Sequence, residues 1–388
     1  MASVTNASSE LQQRVQAVVD DLVDWGVERG IQVAVHREGR LVAEAWAGVA
    51  DPEHKLDVNG DTLFYATSTG KAATATLVHV LAERGAFGYD TRIAELWPEF
   101  GAEGKGEITV GHALTHRAGV PGLPVDTTPE DLGDWEKMCA ALAAARPWWA
   151  PGTEMGYHAQ SFGFLLGEVV RRATGVPVSA ALRQYVTEPL GIADQVYFGV
   201  PGEALGRVAR LEDGPMPEMP EGVDMSEVDM GGMEDLSFFR VVDGYTAAPL
   251  AALPDAAFGN RPDVLGADIP AGATMTARGM SRLLAALMDD VDGVRLIGPE
   301  RLRQVSAVAA QGVDQVIGFP VTRGLGYDLG YSWPMAAGPT SVFGAAGSGG
   351  TAAYADTATR TSFAVVKNIH SPGDYSTAQR IAEVIDEG

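Results

Sequence analysis

The stretch Phe64-Tyr-Ala-Thr-Ser68-Thr-Gly-Lys71-Ala-Ala-Thr-Ala-Thr-Leu77 sets a serine three residues ahead of a lysine. Its alanine-rich continuation predicts a helix from about Thr69, with Ser68 at the N-terminal end. There the unpaired N–H groups and the dipole favour developing negative charge. Residues three apart share a helix face, so Lys71 stands beside Ser68. An amine with a lowered pKa can take the hydroxyl proton and turn the serine into a nucleophile. The spacing alone is weak evidence, because an ordinary solvated helix lysine would look the same.

Two more segments give it company. In Pro151-Gly-Thr-Glu-Met-Gly-Tyr157-His-Ala159 a tyrosine follows a Pro-Gly turn and precedes a helix-like run. This position suits a phenol pointing into a cleft and relaying protons. In Val342-Phe-Gly-Ala345-Ala346-Gly347-Ser348-Gly-Gly350 the glycines allow close backbone approach. The N–H of Ser348, with that of Ser68, is a candidate oxyanion hole. Such donors are worth about 3 kcal/mol each. Other chemistries lack their motifs: there is no G-x-S-x-G, no H-E-x-x-H and no Walker loop. His112 and His116 lie four apart with no third ligand in view, so no metal site is expected.

Working outward, Ile31–Val35 and Leu41–Ala47 flank Glu38-Gly39-Arg40 as strand, turn and strand. Thr351–Asp356 and Thr361–Lys367 repeat the pattern around residues 357–360. Helices are expected at both ends, from the apolar spacing of Val15, Val18, Val19, Leu22 and Val23 within Leu11–Arg29, and over Tyr375–Glu387. The two chain ends therefore complete one antiparallel sheet flanked by the terminal helices. Residues from about 69 to 190 read as a mostly helical subdomain inserted in this α/β (α+β) body, giving a single catalytic domain over 1–388. Glu212–Asp235 holds nine acidic residues and five of the twelve methionines, without Lys or Arg. It reads as a solvated loop and a candidate flap over the site.

The chain has 388 residues and a net charge of −23, which argues against a nucleic-acid partner. Its one cysteine, Cys139, excludes an intrachain disulfide and reads as a small buried side chain. No apolar run approaches the ~20 residues of a membrane span. The polar N-terminal residues show no signal-peptide pattern, so a cytoplasmic protein is expected.

Taken in order, these segments resemble the serine β-lactamase and penicillin-binding-protein superfamily, and within it the class C-like branch of carboxylesterases, lovastatin-type acyltransferases and D-aminopeptidases. Ile108–Pro121, Pro270–Arg282 and Gly324–Gly330 are similar to further family segments, and place His116 in a structural role. The resemblance implies a β-lactamase/transpeptidase-like fold, an acyl-enzyme on Ser68, base and relay work shared by Lys71 and Tyr157, an oxyanion hole from Ser68 and Ser348, and no cofactor. Two departures bear on substrate. Ala159 stands where the family has an asparagine that holds a substrate amide, and Ala345-Ala346-Gly347 replaces Lys-Thr-Gly. The missing cation and hydroxyl would receive a carboxylate, so β-lactams and peptides are expected to be poor substrates. Substrate contacts are expected at Ala159, Ala345 and Gly347, with Trp148 and Trp149 as candidates for the acyl pocket. The expected reaction is hydrolysis of a small-molecule ester. Transfer of the acyl group to an amine or alcohol is the alternative, and a binding module that kept the fold a third reading.

Overall fold

The computed structural model describes residues 2–214, 238–331 and 340–387. Among them, nine strands form one antiparallel sheet. They are β1 (Gly30–Arg37), β2 (Arg40–Asp51), β3 (Leu56–Asp57), β4 (Ala310–Val313), β5 (Pro320–Arg323), β6 (Asp328–Leu329), β7 (Val342–Ala346), β8 (Ala352–Asp356) and β9 (Thr361–Lys367), in the spatial order β4-β5-β6-β7-β8-β9-β1-β2-β3. The strand from the N-terminal end lies against the last one, with Ile31 opposite Lys367 and Arg37 opposite Thr361. The expectation that both chain ends close a single sheet holds.

The hairpin between β1 and β2 turns on Glu38 (φ 50°) and Gly39 (φ 74°). Two successive positive φ values match the right-handed twist of the flanking strands. A side chain at Gly39 would also meet the Asp290 carbonyl.

Alternation along the central strands separates two apolar layers. On one face Ile31, Val33, Val35, Phe363 and Val365 pack against Leu11, Val15, Val19 and Leu22 of α1 (Ala2–Asp24) and against Ala378, Ile381 and Ile385 of the C-terminal helix (Ser376–Asp386). On the other face Ala34, Ala364 and Val366 join Met280, Leu283 and Leu287 of Ala277–Met288 and the helix Lys71–Glu83. Fully burying each of the Val, Leu, Ile, Phe and Met side chains contributes about 1.5–3 kcal/mol. The first helix ends at Asp24 rather than near Arg29, because Gly26 takes a left-handed conformation (φ 72°) and closes it.

The segment from Lys71 to Thr187 is built mainly of helices, and their apolar faces belong to the same cluster as the second face of the sheet. Cys139 is buried there, in the helix Trp135–Ala144. Of the acidic, methionine-rich segment, Glu212 and Asp213 pair in parallel with Ile369 and His370. From residue 215 onward this segment, the candidate flap, lies outside the described residues.

A buried ion pair ties the two ends together. Lys367 Nζ, at the end of β9, donates to Glu28 Oε1 at 2.7 Å, and Thr377 Oγ1 of the C-terminal helix donates to the same oxygen at 2.6 Å. Both charged side chains are almost fully buried. Removing one partner strands the other charge, so Lys367→Met is expected to cost about 3–5 kcal/mol in urea unfolding, with much of that loss recovered in Glu28→Gln/Lys367→Met.

Candidate active site

Ser68 sits in a tight 3-10 turn, Thr67–Gly70, that runs directly into the helix Lys71–Glu83. The α-helix thus starts two residues later than the sequence pattern suggests, but Ser68 keeps its place at the N-terminal end. The turn is entered through Thr67 at φ 43°, a left-handed conformation costly for a β-branched residue. Tertiary contacts hold it. Ala66 N–H donates to Ala273 O at 2.9 Å. Thr351 Oγ1 donates to Ala66 O at 2.9 Å and lies 2.8 Å from Thr69 Oγ1. Gly70 packs against Gly272 and Ala273 so closely that a Cβ would lie 2.2 Å from the Ala273 nitrogen.

The Lys71 amine lies 3.0 Å from Ser68 Oγ and donates to the Ala271 carbonyl at 2.9 Å. Both partners are neutral, and among the described residues no carboxylate is within ion-pairing distance of the amine. Burial therefore dominates and lowers its pKa from 10.5 to about 7; Asp328 opposes the shift and Arg323 adds to it.

Tyr157 closes the group. Its hydroxyl interacts with the Ser68 side chain, and Lys71 Nζ sits 5.1 Å from its ring centroid. Burial raises the phenol pKa well above its usual value, outweighing the opposing pull of Ser68. The phenol therefore stays protonated at neutral pH. Tyr157 N–H donates to Asp314 Oδ1 at 2.8 Å, and Asp314 Oδ2 receives Arg323 at 3.2 Å. The buried Arg323 also donates to Asp328 at 2.5 Å and stacks 5.5 Å from the Tyr157 ring. Sequence reasoning missed this Asp314–Arg323–Asp328 group, because buried ion pairs between loop-joined strands have no local pattern.

The two histidines near Tyr157 are scaffold. His116 Nδ1 accepts from the His158 N–H at 2.9 Å, and its ring stacks 4.9 Å from Phe162. His158 Nδ1 donates to Gly156 O at 2.6 Å while Nε2 accepts from the Val120 N–H at 3.2 Å. Burial, its largest cause, lowers the His158 pKa to about 4 and that of His116 well below 6.5, so both are neutral.

Ser68, Tyr157, Ala159 and Ser348 line one cavity of about 920 Å³. The nearby Gly347 and Gly350 N–H groups are spent on Thr351 O and Gly347 O, whereas Ser348 N–H has no partner among the described residues. Ala247, Ala248, Pro249, Leu253, Ile317 and Phe319 give the cavity an apolar wall. The other expected contacts need correction. Ala345 is buried in the core, and Ala346 faces the cavity instead, as alternation along β7 requires. Gly347 serves packing: a Cβ there would lie 2.3 Å from Thr67 Oγ1 and 2.5 Å from Ala66 O. Trp148 and Trp149 do not line the cavity; Trp148 packs on Gly122 and Trp149 on Gly156, bracing the segment that carries Tyr157.

The family profile described as Beta-lactamase matches residues 15–385. The chain belongs to the beta-lactamase family. It is an enzyme of the serine-hydrolase type found there, and it is 32% identical over 347 residues to "Esterase/beta-lactamase LipL" of Mycobacterium tuberculosis, covering 87% of this chain and 77% of that protein. Among solved structures, a family VIII carboxylesterase superposes with a TM-score of 0.84 at 29% identity, covering 97% of each chain. A penicillin-binding protein homolog from Caulobacter crescentus gives 0.81 at 32% identity, again covering 97% of each. The β-lactamase/transpeptidase-like fold expected from the sequence is thus shown.

Gly347→Ala is expected to leave circular dichroism unchanged yet lower turnover by at least about 100-fold. The added carbon must push the Thr67–Ser68 turn, and a displacement of ~1 Å at a reacting atom is worth that much.

Proposed function

We propose that this enzyme hydrolyses small-molecule esters through an acyl-Ser68 intermediate. The observation that carries the reading is the buried Lys71 amine, 3.0 Å from Ser68 Oγ with only neutral partners and a pKa near 7. At neutral pH a large share of it is the free amine, able to accept the Ser68 proton as Oγ attacks the ester carbonyl. The phenol of Tyr157, kept protonated by burial, passes a proton to the departing alkoxide and recovers one from Lys71. Water then attacks the acyl-enzyme by the same relay in reverse. The tetrahedral oxyanion is assigned to the N–H groups of Ser68 and Ser348.

The apolar wall suits an uncharged acyl group, and the relatives named esterases support the substrate class. A β-lactam or peptide carboxylate fits less well. Ala346 offers neither charge nor hydroxyl, and Arg323 is already held by Asp314 and Asp328. Transfer to an amine or alcohol shares every step up to the acyl-enzyme and is told apart by its product.

Stopped-flow turnover of p-nitrophenyl butyrate, with mass spectrometry of the quenched protein, tests the reading. A burst and an acyl adduct are expected, both absent in Ser68→Ala. Lys71→Ala and Tyr157→Phe should each lower kcat/KM by at least about 100-fold. A wild-type protein without an adduct would refute the mechanism and leave a binding module. An added amine that speeds release and forms an amide would identify the transferase.

The pH profile has a definite sign. Because the Lys71 pKa is lowered and its neutral form is the active one, kcat/KM should fall as pH drops through about 7 and level off above it. A rate independent of pH between 5 and 9 would remove Lys71 as the base. Nitrocefin should be hydrolysed at least about 100-fold more slowly than the butyrate, the size of effect expected from the missing charge-assisted contacts.

A further inference from the structure

His370 lines the cavity beside the Ser348 turn and plays no part in the relay described above. It stands at the end of the short strand Ile369–His370 and is only 3% exposed. Its backbone neighbours hold the turn: Ser371 N–H donates to Gly349 O at 3.3 Å, and Gly373 N–H to Ser348 O at 3.1 Å. The ring packs flat against Gly349, where a Cβ would lie 3.2 Å from Nδ1 and 3.4 Å from Cγ. The absence of a side chain at Gly349 makes room for this imidazole one residue from the proposed oxyanion donor.

Nδ1 is fully buried and has no hydrogen-bond partner among the described residues. With Nδ1 buried, Nε2 is the ring nitrogen left for a ligand in the cavity, and no protein partner for it is present among the described residues. An ester offers only acceptor oxygens, so a ring that bonds one through Nε2 carries its proton there. Asp213, Asp255 and Lys367 act on the ring only through their charge, and burial, the largest influence, keeps it neutral at pH 7. A neutral imidazole with its proton on Nε2 presents a donor, not a base, to the cavity.

We propose that His370 is a substrate-binding residue whose Nε2–H donates a hydrogen bond to a second oxygen of the ester, outside the scissile group. The preferred substrates are then esters with a further keto, ether or carbonyl oxygen a few atoms from the reacting carbon, and plain alkyl esters are turned over less well. This rests on the ester-hydrolase reading and names the substrate class for that site.

The test compares kcat/KM for 4-nitrophenyl hexanoate with its 3-, 4- and 5-oxo analogues, and for butyl with 2-methoxyethyl hexanoate, each divided by its alkaline hydrolysis rate. One oxygen-bearing member is expected to be favoured about tenfold, the worth of one donated hydrogen bond. That preference should vanish in His370→Phe and survive in His370→Gln, whose amide nitrogen can stand where Nε2 does. Plain hexanoate should be turned over by both variants. Nitrogen-15 NMR of the wild-type enzyme should show His370 as the Nε2–H tautomer, a readout that needs no variant to fold. No preference for any oxygen-bearing ester, a preference unchanged in His370→Phe, or an Nδ1–H tautomer would overturn the assignment while leaving ester hydrolysis intact. If the wild type forms no acyl-enzyme with any of these esters, the ester-hydrolase reading falls and this one with it.

Discussion

A lysine amine buried with no counter-ion among the described residues is the constraint on which this site depends. Lys71 has a hydroxyl and a carbonyl for partners, so the low-dielectric surroundings favour the neutral amine. A carboxylate in place of the Ala271 carbonyl would hold the amine charged and make it useless as a base. Arg323 engages both Asp314 and Asp328, and its charge opposes the pull of Asp328 on the amine. The ion-pair group therefore has two effects: it offsets the charge of Asp328 felt by Lys71, and it anchors the backbone of Tyr157.

Much of the fold exists to hold groups from three distant segments of the chain in one place. Ser68 and Lys71 come from one helix end, Tyr157 from a loop, and Ser348 from the turn after β7. A hydrogen bond from Thr351 Oγ1 to Ala66 O and one from the Ala66 N–H to Ala273 O stitch the Ser68 turn to that strand edge and to the Pro270–Ala273 loop. Strain at Thr67 is tolerated because these contacts over-determine the backbone, and Gly70 and Gly347 let the pieces approach within van der Waals range. The ends of the chain contribute from the far side of the sheet, where Glu28 and Lys367 lock the last strand to the first and last helices.

Some of this was legible in the residues. Period-two alternation at both ends and helical spacing at the termini predicted one sheet with flanking helices, since a buried sheet face and a helix stripe each impose a local pattern. That Ser68, Lys71, Tyr157 and Ser348 gather at one candidate site was legible because each stands in a short motif with a Gly or Pro turn beside it. Trp148 and Trp149 misled for a physical reason: large aromatic rings next to a catalytic loop serve equally as a pocket wall or as a brace, and only packing distinguishes the two. Ala345 misled by one residue, because strand register decides which of two neighbours faces the cavity.

The sequence by itself determined the main elements and the candidate reactive set, since helix and strand periodicities and the Ser-x-x-Lys spacing are properties of near neighbours. Only the tertiary structure decided the electrostatics. The pKa of Lys71, the protonated state of Tyr157, the Asp314–Arg323–Asp328 group and the orphan nitrogen of His370 all depend on which atoms from remote segments surround a charge and how much water they exclude. Desolvation is a property of the assembled interior, and no local stretch of residues encodes it.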